Sequence, residues 1–353
     1  MQGEKAEMIL QVGPYPKPIG GISIYVKRMK ELMDLLGISN EVWDLSEVKK
    51  EEKGVAQTRL RYVPLKLIFR RDIKLIHYNI PGINHKLYIG VFNKLFFKKR
   101  KKLLTIHGDS KNLFKTPLIV KALNSFDGII CVKSGDKEYL REKGIRIPVY
   151  EVPAFLFPED EDESTTIPKY ILDFIESKSF VICANASSIQ FYEGKDLYGI
   201  DMCINLIERL KKNREKIGMV FSMPQINNAQ YFNELKNMIT SKKIDNNFLF
   251  VNEKMELYPI IKRSHLFIRP TNTDGDAVSI REALYYKIPV IASDVVIRPK
   301  ETIVFKNRDM DDLYNKTAEV IDNYKQFKER LENIHFEDNG KKLLEIYEEL
   351  LSS

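Results

Sequence analysis

Residues 269–294 read RPTNTDGDAVSIREALYYKIPVIASD. The stretch opens on proline and small polar residues and turns at Gly275, between Asp274 and Asp276. It then runs into a helical pattern and closes on the apolar strand pattern of IPVIAS. A helix that begins near Ala277 has Asp276 as a natural N-cap, with the amides of Ala277 to Ser279 in its first turn. Glu282 then falls in the second turn, while Asp274 stays on the preceding turn. Such a pair suits contacts to opposite ends of one ligand, with a phosphate held between them by amides. Asp274-Gly275-Asp276 is also a literal DxD, a metal-binding tripeptide of a different transferase fold. A capped helix with a solvated glutamate is the plain structural alternative.

Working outward, the same unit recurs along the chain. EMILQVGPYP is a short apolar run ended by prolines, and IYVKRMKELMDLLG has helical periodicity closed by Gly37. IKLIHYNIP, KKLLTIHGD and FDGIICVKS are further strands that end in turn or polar residues. The second half repeats the scheme with SFVICANAS, KIGMVFSMP, NFLFVNE, HLFIRPT and IPVIASD as strands, and with helices such as GIDMCINLIERLKKN between them. Strand–helix alternation predicts α/β units with parallel sheets and helices on both faces. Ligands in such folds bind beyond the carboxyl ends of the strands.

At 353 residues the chain exceeds the size of a single core. The stretch VPAFLFPEDEDESTTIPKY (152–170) has the prolines, acids and hydroxyls of a linker. We expect two doubly wound, Rossmann-like domains, 1–158 and 159–335, facing across a cleft, and a lone amphipathic helix in 336–353. The net charge of +7 conceals an asymmetry. Residues 1–158 hold 29 Lys and Arg against 16 Asp and Glu, whereas the remainder holds 27 against 33. The first half therefore suits an anionic partner. The cysteines, Cys131, Cys183 and Cys203, are odd in number and lack metal-ligand spacing, so reduced core residues are expected. No apolar run approaches the ~20 residues of a spanning helix. The N-terminal stretch carries acids and no signal-peptide core, so a cytoplasmic location is expected.

The loop GPYPKPIGGIS (13–23) links the first strand to a helix. Gly20 and Gly21 let backbone approach a ligand, and the helix start behind them favours phosphate. The loop is neither a Walker sequence nor GxGxxG. A plain strand-to-helix turn accounts for it equally well.

Taken together, PTNTDGDAVSIREALYYKIPVIASD resembles the signature of the retaining, family-4 glycosyltransferases of the GT-B fold. GGIS is similar to that family's first glycine loop, and LLTIHGDS to its strand ending in histidine. The resemblance implies the GT-B fold, with an acceptor-binding first domain, a nucleotide-sugar-binding second domain and a C-terminal helix that crosses back to the first. It implies transfer of a sugar, with retained configuration, from a nucleotide diphosphate sugar to a glycan or lipid-linked acceptor. No cofactor or metal is implied. Asp274 and His107 would address the donor sugar, Glu282 the ribose, and Val278, Ser279, Gly20 and Gly21 the diphosphate.

The chain departs from the family in two respects. Asp274 is shorter than the usual glutamate. The Arg and Lys that clamp the leaving diphosphate after the second domain's first strand are replaced by about Asn185 and Tyr198. Lys195 is the nearest substitute, with Arg281 and Arg269 flanking the motif; Lys195 reads equally as a loop lysine. The missing pair makes a catalytically inactive nucleotide-sugar-binding paralogue one alternative; a nucleotide-sugar 2-epimerase on the same fold is another.

A basic stretch, NKLFFKKRKKLL, sets Phe96 and Phe97 beside Lys98, Lys99, Arg100, Lys101 and Lys102. This mixture suits an anionic inner membrane surface, which would make the protein peripheral on the cytoplasmic face. The stretch carries no nucleic-acid motif. A solvated helix end before a strand is the bland reading.

Overall fold

The computed structural model describes residues 8–16, 20–48, 51–96, 99–158, 167–275 and 277–353. The chain divides into two compact units, Met1–Glu159 with Glu337–Ser353, and Asp160–Phe336.

The first unit is built on a parallel sheet of seven strands: β1 (Met8–Gly13), β2 (Asn40–Asp44), β3 (Val55–Gln57), β4 (Ile73–Tyr78), β5 (Lys101–Ile106), β6 (Gly128–Cys131) and β7 (Val149–Glu151). Their order is β3-β2-β1-β4-β5-β6-β7, so the winding reverses between β1 and β4. The central strands are near-continuous apolar runs because helices cover both faces of a parallel sheet. Leu10, Val12, Leu75, Ile76, Leu103, Leu104, Ile129 and Ile130 are all fully buried. Gly90 allows two of those helices to touch, since a Cβ there would sit 2.6 Å from the Cβ of Ala122.

The last helix, Asn339–Ser352, belongs to this first unit. Asp338 caps it by accepting from the Lys341 amide. Asn339 donates to the Phe155 carbonyl at 2.8 Å. The Tyr347 hydroxyl bonds His77 Nδ1 at 2.6 Å, and the other ring nitrogen of His77 meets Thr105 Oγ1 at 2.6 Å. With both nitrogens satisfied, burial pushes His77 down to about 3, so it stays neutral. The helix is thus fixed by a buried polar pin as well as by Leu343, Ile346 and Leu350.

The second unit holds β8 (Phe180–Asn185), the two-strand hairpin β9 (Phe191–Tyr192) and β10 (Lys195–Asp196), then β11 (Ile217–Ser222), β12 (Phe248–Val251), β13 (Leu266–Arg269), β14 (Val290–Ser293) and β15 (Ile303–Phe305). The six-stranded parallel sheet runs β12-β11-β8-β13-β14-β15 and reverses between β8 and β13. Glu193 and Gly194 both have positive φ, 50° and 73°, as the tight hairpin turn requires. The three cysteines are free and buried.

Candidate functional site

In an open α/β sheet the carboxyl ends of the two strands at the reversal frame a crevice. In the second unit those ends are Asn185 on β8 and Arg269 on β13, and the loop after β13 carries the acidic motif. Arg269 is the hub. Its Nη1 donates to Asn185 Oδ1 at 3.1 Å and to the Asn185 carbonyl at 3.2 Å. Its guanidinium lies 5.2 Å from the centre of the Tyr198 ring. Its Nε and Nη2 grip Asp274 Oδ2 and Oδ1, both at 3.2 Å.

Asp274 is shared. Arg298, from the irregular segment after β14, donates to Asp274 Oδ2 at 2.8 Å. Thr271 Oγ1 reaches the same oxygen at 3.2 Å, and the Gly275 amide reaches Oδ1 at 3.0 Å. Five donors on two oxygens fill a carboxylate's acceptor capacity, about four lone-pair sites. Burial alone would raise this carboxyl, but Arg269 and then Arg298 outweigh it and hold it below the usual carboxylate value. Side-chain exposure separates the two arginines: 11% for Arg269 against 2% for Arg298. Arg269 is therefore the cation with surface to offer. Arg298 also donates to the Ser293 carbonyl at 2.9 Å, and Ser293 Oγ donates to the Thr271 carbonyl at 2.6 Å, so the ends of β13 and β14 are knotted together.

The neighbouring loop is tied in from the other side. Asn272 donates to the Asp196 carbonyl at 2.7 Å and its amide to the Leu197 carbonyl at 2.8 Å. Gly199, at φ +66°, lets the chain pass so close that an added Cβ would stand 2.3 Å from the Pro270 carbonyl oxygen. Tyr198 is held beside Arg269 by its amide, which donates to Asp196 Oδ1 at 2.9 Å.

The motif helix runs Val278–Tyr285, with Ala277 at the N-cap position and no side-chain cap bond. It begins one residue later than a cap at Asp276 would set it, and Asp276 itself lies outside the described residues. Val278, Ser279 and Arg281 are half-buried. Glu282 is only 5% exposed, which rules out the solvated-glutamate reading. It sits among the buried Ile280, Ala283 and Leu284. Lys195 is exposed on the hairpin, outside the Arg269 hydrogen-bond network.

In the first unit, Gly20 and Gly21 are exposed, and a Cβ on either would meet nothing within 4 Å. Gly20 has extended backbone, φ −165°, so backbone strain does not demand glycine there. His107 follows β5; its Nε2 bonds Asn79 Oδ1 at 2.8 Å and its ring meets Tyr25 edge-on at 4.9 Å. Burial, with His77 and Lys86 adding to it, pushes His107 down to about 3, so it is a neutral hydrogen-bonding group.

The basic stretch before β5 does not present one exposed cationic face. Lys101 and Lys102 are the first residues of β5 rather than a helix end, and in a strand covered on both sides their side chains turn to protein partners. Lys102 is 5% exposed and pairs with Asp127 at 3.0 Å, and Lys101 bonds Ser353 Oγ at 3.1 Å. Arg100 donates to the Arg70 carbonyl at 2.7 Å, whereas Lys99 is exposed. Phe97, Lys98 and the Phe96 side chain lie outside what the structure describes.

Comparison with known proteins places the fold. Residues 194–338 match the family model described as Glycosyl transferases group 1. No curated protein matches the chain by sequence. The fold is shared along nearly its full length by a glycosyltransferase from Rickettsia africae, at 16% identity and a TM-score of 0.73, covering 98% of each chain. Sucrose-phosphate synthase from Thermosynechococcus elongatus aligns over 98% of this chain and 99% of its own, at 14% identity and TM-score 0.68. Anabaena HepE, solved in complex with UDP and glucose, aligns over 98% and 100% at 14% identity and TM-score 0.63. The two α/β units are those of the GT-B fold.

Proposed function

We propose that this protein is a retaining glycosyltransferase that moves a sugar from a nucleotide diphosphate sugar to a glycan or lipid-linked acceptor, in the synthesis of a cell-surface polysaccharide or glycoconjugate. The observation that carries the reading is the cluster Arg269, Asp274 and Arg298. It lies within the segment that matches the transferase family, at the reversal of the second sheet, with the buried Glu282 eight residues beyond Asp274. In this reading Glu282 holds the ribose. The amides at Val278 and Ser279 receive the diphosphate, and Arg281 flanks it.

Arg269 answers the missing clamp. Asn185 and Tyr198 stand at about the places where the resembling family has its two cations, and here both hold the Arg269 guanidinium instead. The positive charge has moved from the β8 side of the crevice to the end of β13. Lys195, exposed on its hairpin, is the lesser candidate for this task. Asp274 is better suited to fixing Arg269 than to reaching sugar hydroxyls, because its oxygens are already engaged. In the transfer step the bond from the anomeric carbon to the diphosphate oxygen breaks as the acceptor hydroxyl attacks the same face. The hydroxyl proton passes to the departing diphosphate. A fixed cation beside the leaving group acts where charge develops.

The test is release of nucleoside diphosphate from a panel of UDP-, GDP-, ADP- and TDP-sugars, with and without added acceptor glycan. Turnover of one donor supports the reading. Tight nucleotide binding with no turnover of any donor supports instead the inactive paralogue, which the lost Arg/Lys positions favour. Turnover is also expected to survive EDTA. The DxD reading requires Asp274 as a metal ligand, and its oxygens are taken by two guanidinium groups, a hydroxyl and an amide. Activity that vanishes in EDTA and returns with manganese would restore the metal reading.

A further inference from the structure

The helix Val63–Ile68 in the first unit is anchored by Val63 and Leu67, both fully buried. Its other side is apolar and uncovered. Tyr62 is 43% exposed, Leu65 58%, Ile68 51% and Phe69 84%. Single exposed apolar residues are ordinary, but four within eight positions, two on the short helix and one at each of its ends, form a patch. The surroundings are cationic. Residues 53–71 contain six Lys and Arg and no acid. Arg70 is engaged by Glu41 and Asp72. Arg59, Arg61, Lys66 and Arg71 are exposed around the patch. Beside it lies a recess of about 400 Å³ lined by Arg59, Leu60, Arg61, His85 and Tyr88.

We propose that this surface docks on an anionic lipid bilayer, with Leu65, Ile68 and Phe69 entering the interface, the four exposed cations meeting the headgroups, and the recess receiving one headgroup phosphate. Apolar side chains projecting from a cationic, acid-free helix are the chemistry of interfacial binding. A second copy of the chain is a poorer occupant, because a two-fold contact sets the same cations against each other. Nucleic acid is poorer too: only Tyr62 and Phe69 carry rings on which bases stack, and Leu65 and Ile68 between them gain nothing from such a strand. The inference is independent of the transferase reading, because it concerns binding alone.

The experiment is flotation of the full chain with vesicles of phosphatidylcholine alone and with added phosphatidylglycerol. Circular dichroism checks that each variant is folded. Wild type is expected to float with the anionic vesicles and not with the neutral ones. Replacing Arg59, Arg61, Lys66 and Arg71 by Gln should reduce binding by more than tenfold, since each cation near such a surface is worth about five-fold in partitioning. Leu65→Ser with Phe69→Ser should also release the protein, even at low salt, where charge alone would hold it. Lys99→Gln with Lys101→Gln, on the other basic stretch, should leave flotation unchanged. The proposal is overturned if wild type ignores anionic vesicles, or if the loss follows Lys99 and Lys101. It is overturned equally if wild type is a dimer that Phe69→Ser makes monomeric, or if it binds an oligonucleotide but no vesicle.

Discussion

Asp274→Ala is expected to lower the melting temperature of the second unit by roughly 6–20 °C. The carboxylate is shared by Arg269 and Arg298, and all three side chains are largely withdrawn from water. Removing one member of such a buried network costs about 3–5 kcal/mol, because the partners keep their charge and lose its compensation. For a unit of this size each kcal/mol shifts the transition by roughly 2–4 °C. The linkage has a definite sign. The folded-state carboxyl is held below its ordinary 3.8, so its stabilising contribution is complete above that pH and lost as pH falls through the lower folded value. Thermal melts of wild type, Asp274→Ala and Asp274→Asn at neutral pH provide the check. Melting temperatures that agree within a degree would mean that the network does not hold the loop, and would return Asp274 to a role as a ligand contact.

Arg269→Met should cut turnover by about 10²–10³-fold, the usual loss when one preorganised group opposite developing charge is removed. The variant keeps the Arg298–Asp274 pair, and methionine fills much of the space beside Tyr198, so folding is expected to survive. The distinguishing readout is a split between ligands. Affinity for the nucleoside alone should be unchanged, affinity for the nucleoside diphosphate should fall, and kcat should fall further. Arg269→Lys should recover only part of the loss, because an ammonium cannot reproduce the planar fork that binds Asn185 and Asp274 together. Lys195→Ala, by contrast, should alter turnover little. A full loss in Lys195→Ala with normal activity in Arg269→Met would place the leaving-group cation on the hairpin.

The strands with strong apolar runs were legible in the sequence, because a parallel strand covered on both faces must be apolar almost throughout. MILQVG, IKLIHY, FVICAN and IGMVFS are all strands in the structure. Among the peripheral strands, β12 was legible as NFLFVNE and the others were not. NEVWD (β2) is half polar, and VAQ, VYE and IVF (β3, β7 and β15) are three residues each, too short for any periodicity to register. The hairpin β9–β10 was missed for the same reason, although Glu-Gly in its turn is a local signal.

At the site, the acids at 274 and 282 stood out by spacing, whereas the partner of Asp274 did not. Arg298 lies 24 positions further on, in a segment with no regular structure. Only the adjacency of β13 and β14 brings their carboxyl ends together. The useful sequence signal was the arginine that follows an apolar strand ending in serine. The opposite error arose at Lys101 and Lys102, where a run of like charges beside aromatic residues suggested a membrane-facing surface. Charge was a poorer guide there than the strand that begins at Lys101 and turns Lys102 onto Asp127.

Calorimetric titration of nucleoside diphosphates into wild type and Glu282→Ala tests the donor site most directly. Glu282 is buried, follows the Arg269–Asp274 knot by eight residues, and in this account binds the ribose hydroxyls. A hydrogen bond to a charged group contributes about 1.5–3 kcal/mol, so the substitution should weaken binding by roughly ten- to hundred-fold. Wild type is predicted to bind one of UDP, GDP, ADP or TDP, and Glu282→Ala to bind the same nucleotide with that loss. Binding of none by folded wild type, or equal affinity in the variant, would contradict the account.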